Sequence, residues 1–150
     1  MEELKKFLQN QRILQIAPHA GDPWIANVYM CCENPNKIYF IGSYKTLYGR
    51  ELLQDPRLAF ATAWHNPDNN LDRKGVQGVG EAALTKDAKE ITAAVKLHNQ
   101  NYPELAKRIT VDWVKTNKRG SGVWVVHPTF IKFWNDELYG TDGSEEFELE

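Results

Sequence analysis

The residues with the strongest claim to chemistry stand close together, in the run Lys37-Ile-Tyr-Phe-Ile-Gly-Ser-Tyr-Lys-Thr-Leu-Tyr-Gly-Arg50. An apolar stretch ends there in small hydroxyl residues and passes directly into a helical pattern. Backbone N–H groups at a helix start carry partial positive charge and have no partners within the helix, so they attract an anion. Ser43 and Thr46 can add hydroxyl donors, and Lys45 and Arg50 can add charge. The same residue types also cap helices, because a Ser or Thr oxygen accepts from the N–H groups of the first turn. Residue type alone leaves both readings open.

Other chemistries find little footing. His19, His65, His98 and His127 are widely separated, with neither HExxH spacing nor a CxxC pair, so no metal site is expected. Asp68-x-Asn70-x-Asp72 begins like a calcium loop, but Arg73 stands where its bend needs glycine and Val79 where its last ligand needs Glu. None of Ser43, Ser121 and Ser144 sits in a GxSxG elbow. Gly75, Gly78 and Gly80 depart from GxGxxG and mark a bulge or a close backbone approach. No catalytic residue is identified; Tyr48, His65 and His127 are the candidates for a proton donor.

The elements that must position these residues are short. Glu2 to Gln11 reads as an amphipathic helix with Leu4, Phe7 and Leu8 on one stripe. Strands are expected at 12–17, 24–32 and 37–41, joined by the turn formers Pro18-His-Ala-Gly-Asp-Pro23 and Glu33-Asn-Pro-Asn36. Connections this short require antiparallel pairing. A helix over 43–54 stops at Asp55-Pro56. Strands follow at 57–64 and 75–84, then a helix from Lys86 to about Asn99 with Thr85 as its cap, and a helical stretch opened by Pro103. Residues 122–127 and 129–134 read as one bent strand or two short ones around Pro128. About six antiparallel strands with inserted helices give a mainly β (α+β) chain, whose edges are best protected by closure into a barrel.

Composition is compatible with that reading. The chain has 150 residues, 42% apolar and 25% charged, which suits one domain with one continuous core. Its net charge of −2 hides two unlike parts. Residues 136–150 carry seven acids and no Lys or Arg, whereas residues 1–135 carry 18 basic and 13 acidic side chains. Residues 140–150 are accordingly expected to be a disordered acidic tail on a domain of residues 1–139. The basic surplus is too mild to argue for nucleic acid. No apolar run is long enough to span a membrane, and the start lacks a signal peptide's apolar centre, so a cytoplasmic location is expected. Cys31 and Cys32 are the only cysteines, and adjacent strand residues point to opposite faces.

The order of these parts resembles the pyridoxamine 5'-phosphate oxidase-like FMN-binding split barrels, nearest to small bacterial members. The likeness runs from about Phe7 to Tyr139. It rests on Pro23 before the second strand, Lys37-Ile-Tyr-Phe-Ile, the hydroxyl-containing turn, and Glu51-Leu-Leu-Gln-Asp-Pro-Arg57. It continues through Leu58-Ala-Phe-Ala, Gly75-Val-Gln-Gly-Val-Gly-Glu-Ala-Ala, Tyr102-Pro103 and Ile131-Lys-Phe-Trp134. The resemblance implies a six-stranded antiparallel split β-barrel with flanking helices, a homodimer, and FMN at the subunit interface. By position, Ser43 and Thr46 match the phosphate-binding hydroxyls, with Lys45, Tyr48 and Arg50 beside them. Asn27 and Val28 fall on the strand facing the flavin ring, Gln77 falls near the cofactor, and Trp134 is an aromatic candidate for the pocket wall or the core. The family's Arg-Lys pair appears here as Leu47-Tyr48, and Ala26 and Cys31 replace basic residues of the oxidase. The implied function is an FMN-dependent oxidoreductase on a small molecule other than the vitamin B6 substrate. The alternative is a non-catalytic small-ligand or sensor protein of the same fold.

Overall fold

The computed structural model describes residues 1–150. Helix α1 (Glu2–Gln9) leads into strands β1 (Ile13–Pro18), β2 (Ala26–Asn34) and β3 (Lys37–Ser43), an antiparallel meander set by its short turns. Helix α2 (Leu47–Gln54) intervenes before β4 (Arg57–His65) and β5 (Arg73–Leu84). Helix α3 (Ala88–Asn101), a 3-10 turn at Pro103–Leu105 and helix α4 (Val111–Thr116) precede the long strand β6 (Ser121–Asn135). A short helix α5 (Asp136–Tyr139) and strand β7 (Ser144–Glu148) complete the chain. The strands run in the order β3-β2-β1-β4-β5-β6, and β3 pairs with β6 to close a six-stranded antiparallel barrel.

Alternation along the strands builds two apolar layers. The barrel interior holds Leu14, Ile16, Val28, Met30, Phe40, Phe60, Trp124 and Phe133, all buried. Leu4, Phe7 and Leu8 of α1 and Leu52 of α2 complete this core. On the outside of β2, β3 and β6, the outward residues Cys31, Tyr39, Val123 and Val125 pack under Ile91, Ala94 and Val95 of α3 and Val114 of α4. Cys31 and Cys32 therefore lie in different layers, as strand geometry requires. Burial pushes both thiols up to about 12, which removes them from thiolate chemistry at neutral pH.

Several boundaries differ from expectation for local reasons. Strand β6 is continuous through Pro128: the proline stays opposite Gly80, and a register shift between Val79 and Gly80 leaves Thr129 as the extra, bulged residue beside it. Asp87, not Thr85, caps α3 by accepting from the Glu90 N–H, while the Thr85 hydroxyl bonds the Glu90 carboxylate. The stretch after Pro103 is one 3-10 turn and a separate short helix.

The largest difference is at the C-terminus. The expected disordered tail instead contributes β7, which pairs antiparallel with residues 130–134 of β6. Strand β3 occupies the same edge of β6 only at residues 121–126, so half of that edge is free to accept another strand. Phe147 and Leu149 pack against the core. The acids near the tail's start are also paired: Arg73 donates to Asp136 at 2.8 Å and to Asp142 at 2.7 Å, and Lys74 donates to Glu137. A segment too polar to fold alone thus folds as an addition to an existing sheet. No helix of the chain is long and apolar enough to cross a membrane.

The hydrogen bonds from Arg73 hold the Asp136 carboxyl below the ordinary carboxylate range. Its stabilisation is therefore complete above the unfolded aspartate value of about 4 and is lost as pH falls through the lower folded value. Amide exchange should show β7 losing protection on acidification before the barrel strands do. Asp136→Asn should remove most of that pH dependence.

Candidate functional site

The anion-binding candidates sit where β3 gives way to α2. Ser43 is the last residue of β3, paired with Ser121, and its hydroxyl donates to the Arg119 carbonyl at 2.6 Å while accepting from the Lys45 N–H at 3.0 Å. Thr46 is the N-cap of α2: its hydroxyl accepts from the Gly49 N–H at 3.1 Å and donates to the Ser43 carbonyl at 2.7 Å. Each hydroxyl has one proton, and both protons are committed. The capping reading of these two residues is thus realised in the structure.

Other donors at the same place remain available. The N–H groups of Leu47 and Tyr48, the first two residues of α2, have no acceptor within the chain. The Lys45 ammonium reaches the Lys118 carbonyl at 3.0 Å, and Arg50 follows one turn along α2 with an exposed side chain. Lys45, Arg50, Lys118 and Arg119 form no salt bridge with any carboxylate. Sequence reasoning missed Lys118 and Arg119, because only the β3–β6 pairing brings them beside Ser43. Backbone N–H groups and surrounding cations are thus the groups at this place that no acceptor or carboxylate, respectively, engages within the chain. Leu47 and Tyr48, standing in place of a basic pair, add no charge. Tyr48 packs edge-on to Phe40 at 6.0 Å, and burial raises its pKa. Its hydroxyl fills the space beside Gly42, where an added Cβ would lie 2.1 Å away.

The remaining candidates share the open outer face of the sheet. Ladder register aligns Asn27, Gln15, Ala61, Gln77 and Lys132 in one cross-strand row across β2, β1, β4, β5 and β6. Gln15 donates to the Asn27 side-chain carbonyl at 3.2 Å. Three strand spacings separate Asn27 from Gln77, or about 14 Å. The β2–β3 register, with Met30 opposite Phe40, brings Asn27 and Ser43 to the same end of neighbouring strands. Trp134 lies two residues from Lys132 on the same face, with its ring over Gly75, where a Cβ would meet it at 2.3 Å. Val28 is the exception: its side chain is in the barrel core, leaving only its backbone to the site.

The glycines in this region divide by role. Gly75 admits Trp134 and Gly78 admits Phe60, whereas Gly80 faces the shift at Pro128. The candidate proton donors are scattered. His65 bonds Asn70 at the far end of β4, and His127 stands opposite Glu81 on β6.

Residues 1–135 match the sequence profile of the family described as pyridoxamine 5'-phosphate oxidase. No curated protein shows significant sequence similarity. Among solved structures, a heme binding protein from Mycobacterium smegmatis aligns with a TM-score of 0.70 at 20% identity, covering 92% of this chain and 53% of that one. The chain thus spans about half of that relative's length. HutZ, the heme storage protein from Vibrio cholerae, gives 0.66 at 16% identity, covering 85% and 88% of the two chains. A NimC/NimA family protein from Clostridium acetobutylicum gives 0.66 at 16% identity, covering 99% and 92%. At these identities the structures establish a shared fold.

The capping geometry is directly testable in the ligand-free protein. Thr46→Ala should cost about 1 kcal/mol in urea unfolding, the usual value of an N-cap hydroxyl. A hydroxyl that served only a ligand would leave that stability unchanged.

Proposed function

The chain belongs to the pyridoxamine 5'-phosphate oxidase family, and on that basis we propose that it binds FMN as a cytoplasmic homodimer and acts as an oxidoreductase on a small molecule. The observation that carries this reading is the start of α2, where two unpartnered N–H groups adjoin cations free of carboxylate partners. Bound there, FMN would supply hydride or electron transfer. The chain's own residues bind and orient. Leu47 and Tyr48 donate backbone N–H groups to the phosphate, and Lys45, Arg50, Lys118 and Arg119 supply opposing charge. Asn27 and Gln77 present amide groups able to donate to or accept from a heteroaromatic edge. Ala59, Ala61 and Ala63 keep the sheet face flat between them, and Trp134 bounds it.

The same face supports the homodimer. Ile13, Tyr29 and Val79 are exposed around the outward alanines, in contrast to the helix-covered side of the barrel. A second copy would remove this apolar surface from water. The missing basic residues at positions 26, 31, 47 and 48 take the family's cations from the FMN phosphate, so other cations must replace them for FMN to bind, and they argue against vitamin B6 oxidase activity.

A second reading is favoured by a specific observation: both matching hydroxyls are already bonded within the chain. In that reading the protein is a non-catalytic carrier or sensor, and heme, bound by two of the structural relatives, is its leading ligand.

Incubation with FMN, desalting and a visible absorption spectrum test the first reading. Retained flavin absorption is expected, and Lys45→Ala or Arg119→Ala should each weaken FMN binding about tenfold, the value of one charge-assisted contact. A desalted protein that loses FMN but retains heme supports the second reading. Size-exclusion chromatography should give twice the chain mass; a monomer would remove the homodimer.

A further inference from the structure

A cavity of about 810 Å³ opens at the other end of the same sheet face, between the turn after β1 and the paired strands β4 and β5. Ala59 and Val79, opposite each other in the ladder, form part of its floor. They lie two residues from Ala61 and Gln77, or about 7 Å along the strands. Trp24 and Ile25 wall it and are exposed by 54% and 63%, so its lining presents a large aromatic and aliphatic surface to solvent.

The charge around this cavity is unbalanced toward acid. Arg57 and His19 are the basic residues of its lining, and Asp55 holds the Arg57 guanidinium through two hydrogen bonds of 3.1 and 2.8 Å. Glu81 lines the cavity opposite Arg57 and has no salt bridge. Asp22 lies between the lining residues Gly21 and Pro23. Behind Gly21 stands Glu51, 9% exposed, with one carboxylate oxygen sealed from solvent and bonded to nothing. A Cβ on Gly21 would lie 2.6 Å from the other oxygen, so this carboxylate stands directly behind the glycine without itself lining the cavity. An unpaired buried carboxylate is costly unless positive charge comes near.

We propose that this cavity binds a small organic cation: a protonated amine carried on a flat apolar body. Trp24 offers its ring face to the cation, Glu81 accepts a charge-assisted hydrogen bond, and Ile25, Ala59 and Val79 take the apolar body. The acids surrounding a neutralised Arg57 exclude an anion of the same shape. Its polar recognition groups, Trp24 and Glu81, lie outside both the α2 start and the Asn27–Gln77 row, although Ala59 and Val79 belong to the face we assign to the flavin and the second copy.

Calorimetric titration of the full, flavin-free chain with 1-naphthylmethylamine, against 1-naphthylacetate as the anion of like shape, tests the proposal. The amine should bind, more weakly as salt rises, and the anion should not. Glu81→Gln and Trp24→Ala should each weaken the amine about tenfold. Both side chains are exposed, so an unchanged melting temperature should accompany the loss. Equal binding of the anion, no binding of the amine, or unchanged binding by both variants would overturn the proposal. A parallel FMN titration reports on the α2 site separately.

Discussion

The pairing of β3 with the first half of β6 is the seam on which the molecule depends. It converts an open sheet, whose end strands would be unpaired, into a barrel. Trp124 fastens it from inside: the indole stacks on Phe40 at 5.9 Å, and its N–H donates to the Gly42 carbonyl at 3.0 Å. The bond satisfies a polar group that the fully buried ring would otherwise strand. The seam also carries the α4–β6 loop to the end of β3, setting Lys118 and Arg119 beside Ser43 and Lys45. Core formation and placement of charge are therefore consequences of one strand pairing.

The barrel's exterior is divided by the same topology. Helices inserted after β5 cover β2, β3 and the start of β6, and the residues beneath them are as buried as those inside. The helix-covered layer does not extend over the outward face of β1, β4 and β5, whose outward positions are mostly small or polar, with Ile13 and Val79 the exposed apolar exceptions. That side has the flatness to receive a planar molecule and the apolar character to favour a second surface. Its two ends differ chemically, with cations free of acid partners beyond β2 and acids around the cavity below Trp24.

Much of this was legible in the sequence. The alternation of β2 and β4 and the tight turns implied an antiparallel closed sheet, and the opposite faces of Cys31 and Cys32 followed from strand geometry alone. Asn27, Gln77 and Trp134 were identified by resemblance, and ladder register puts them on one face. What stayed hidden depends on contacts between distant segments. Nothing near residue 118 signals its approach to residue 45. The tail reads as solvated because its acids appear unpaired until Arg73 and Lys74 meet them across the fold. Ser43 and Thr46 show a subtler limit: the types were right for two roles, and only hydrogen-bond direction separates them.

Strand β7 has a further consequence for the molecule's behaviour among its own kind. Adding a strand to β6 moves the sheet's exposed hydrogen-bonding edge outward onto Ser144–Glu148, a five-residue segment containing three glutamates. An unpaired edge is a template on which another chain can extend the sheet. Here the template is short, and each copy offers it with a row of negative charge that repels the same row on a neighbour. The acidic end of the chain thus acts against open-ended stacking at this edge of the sheet.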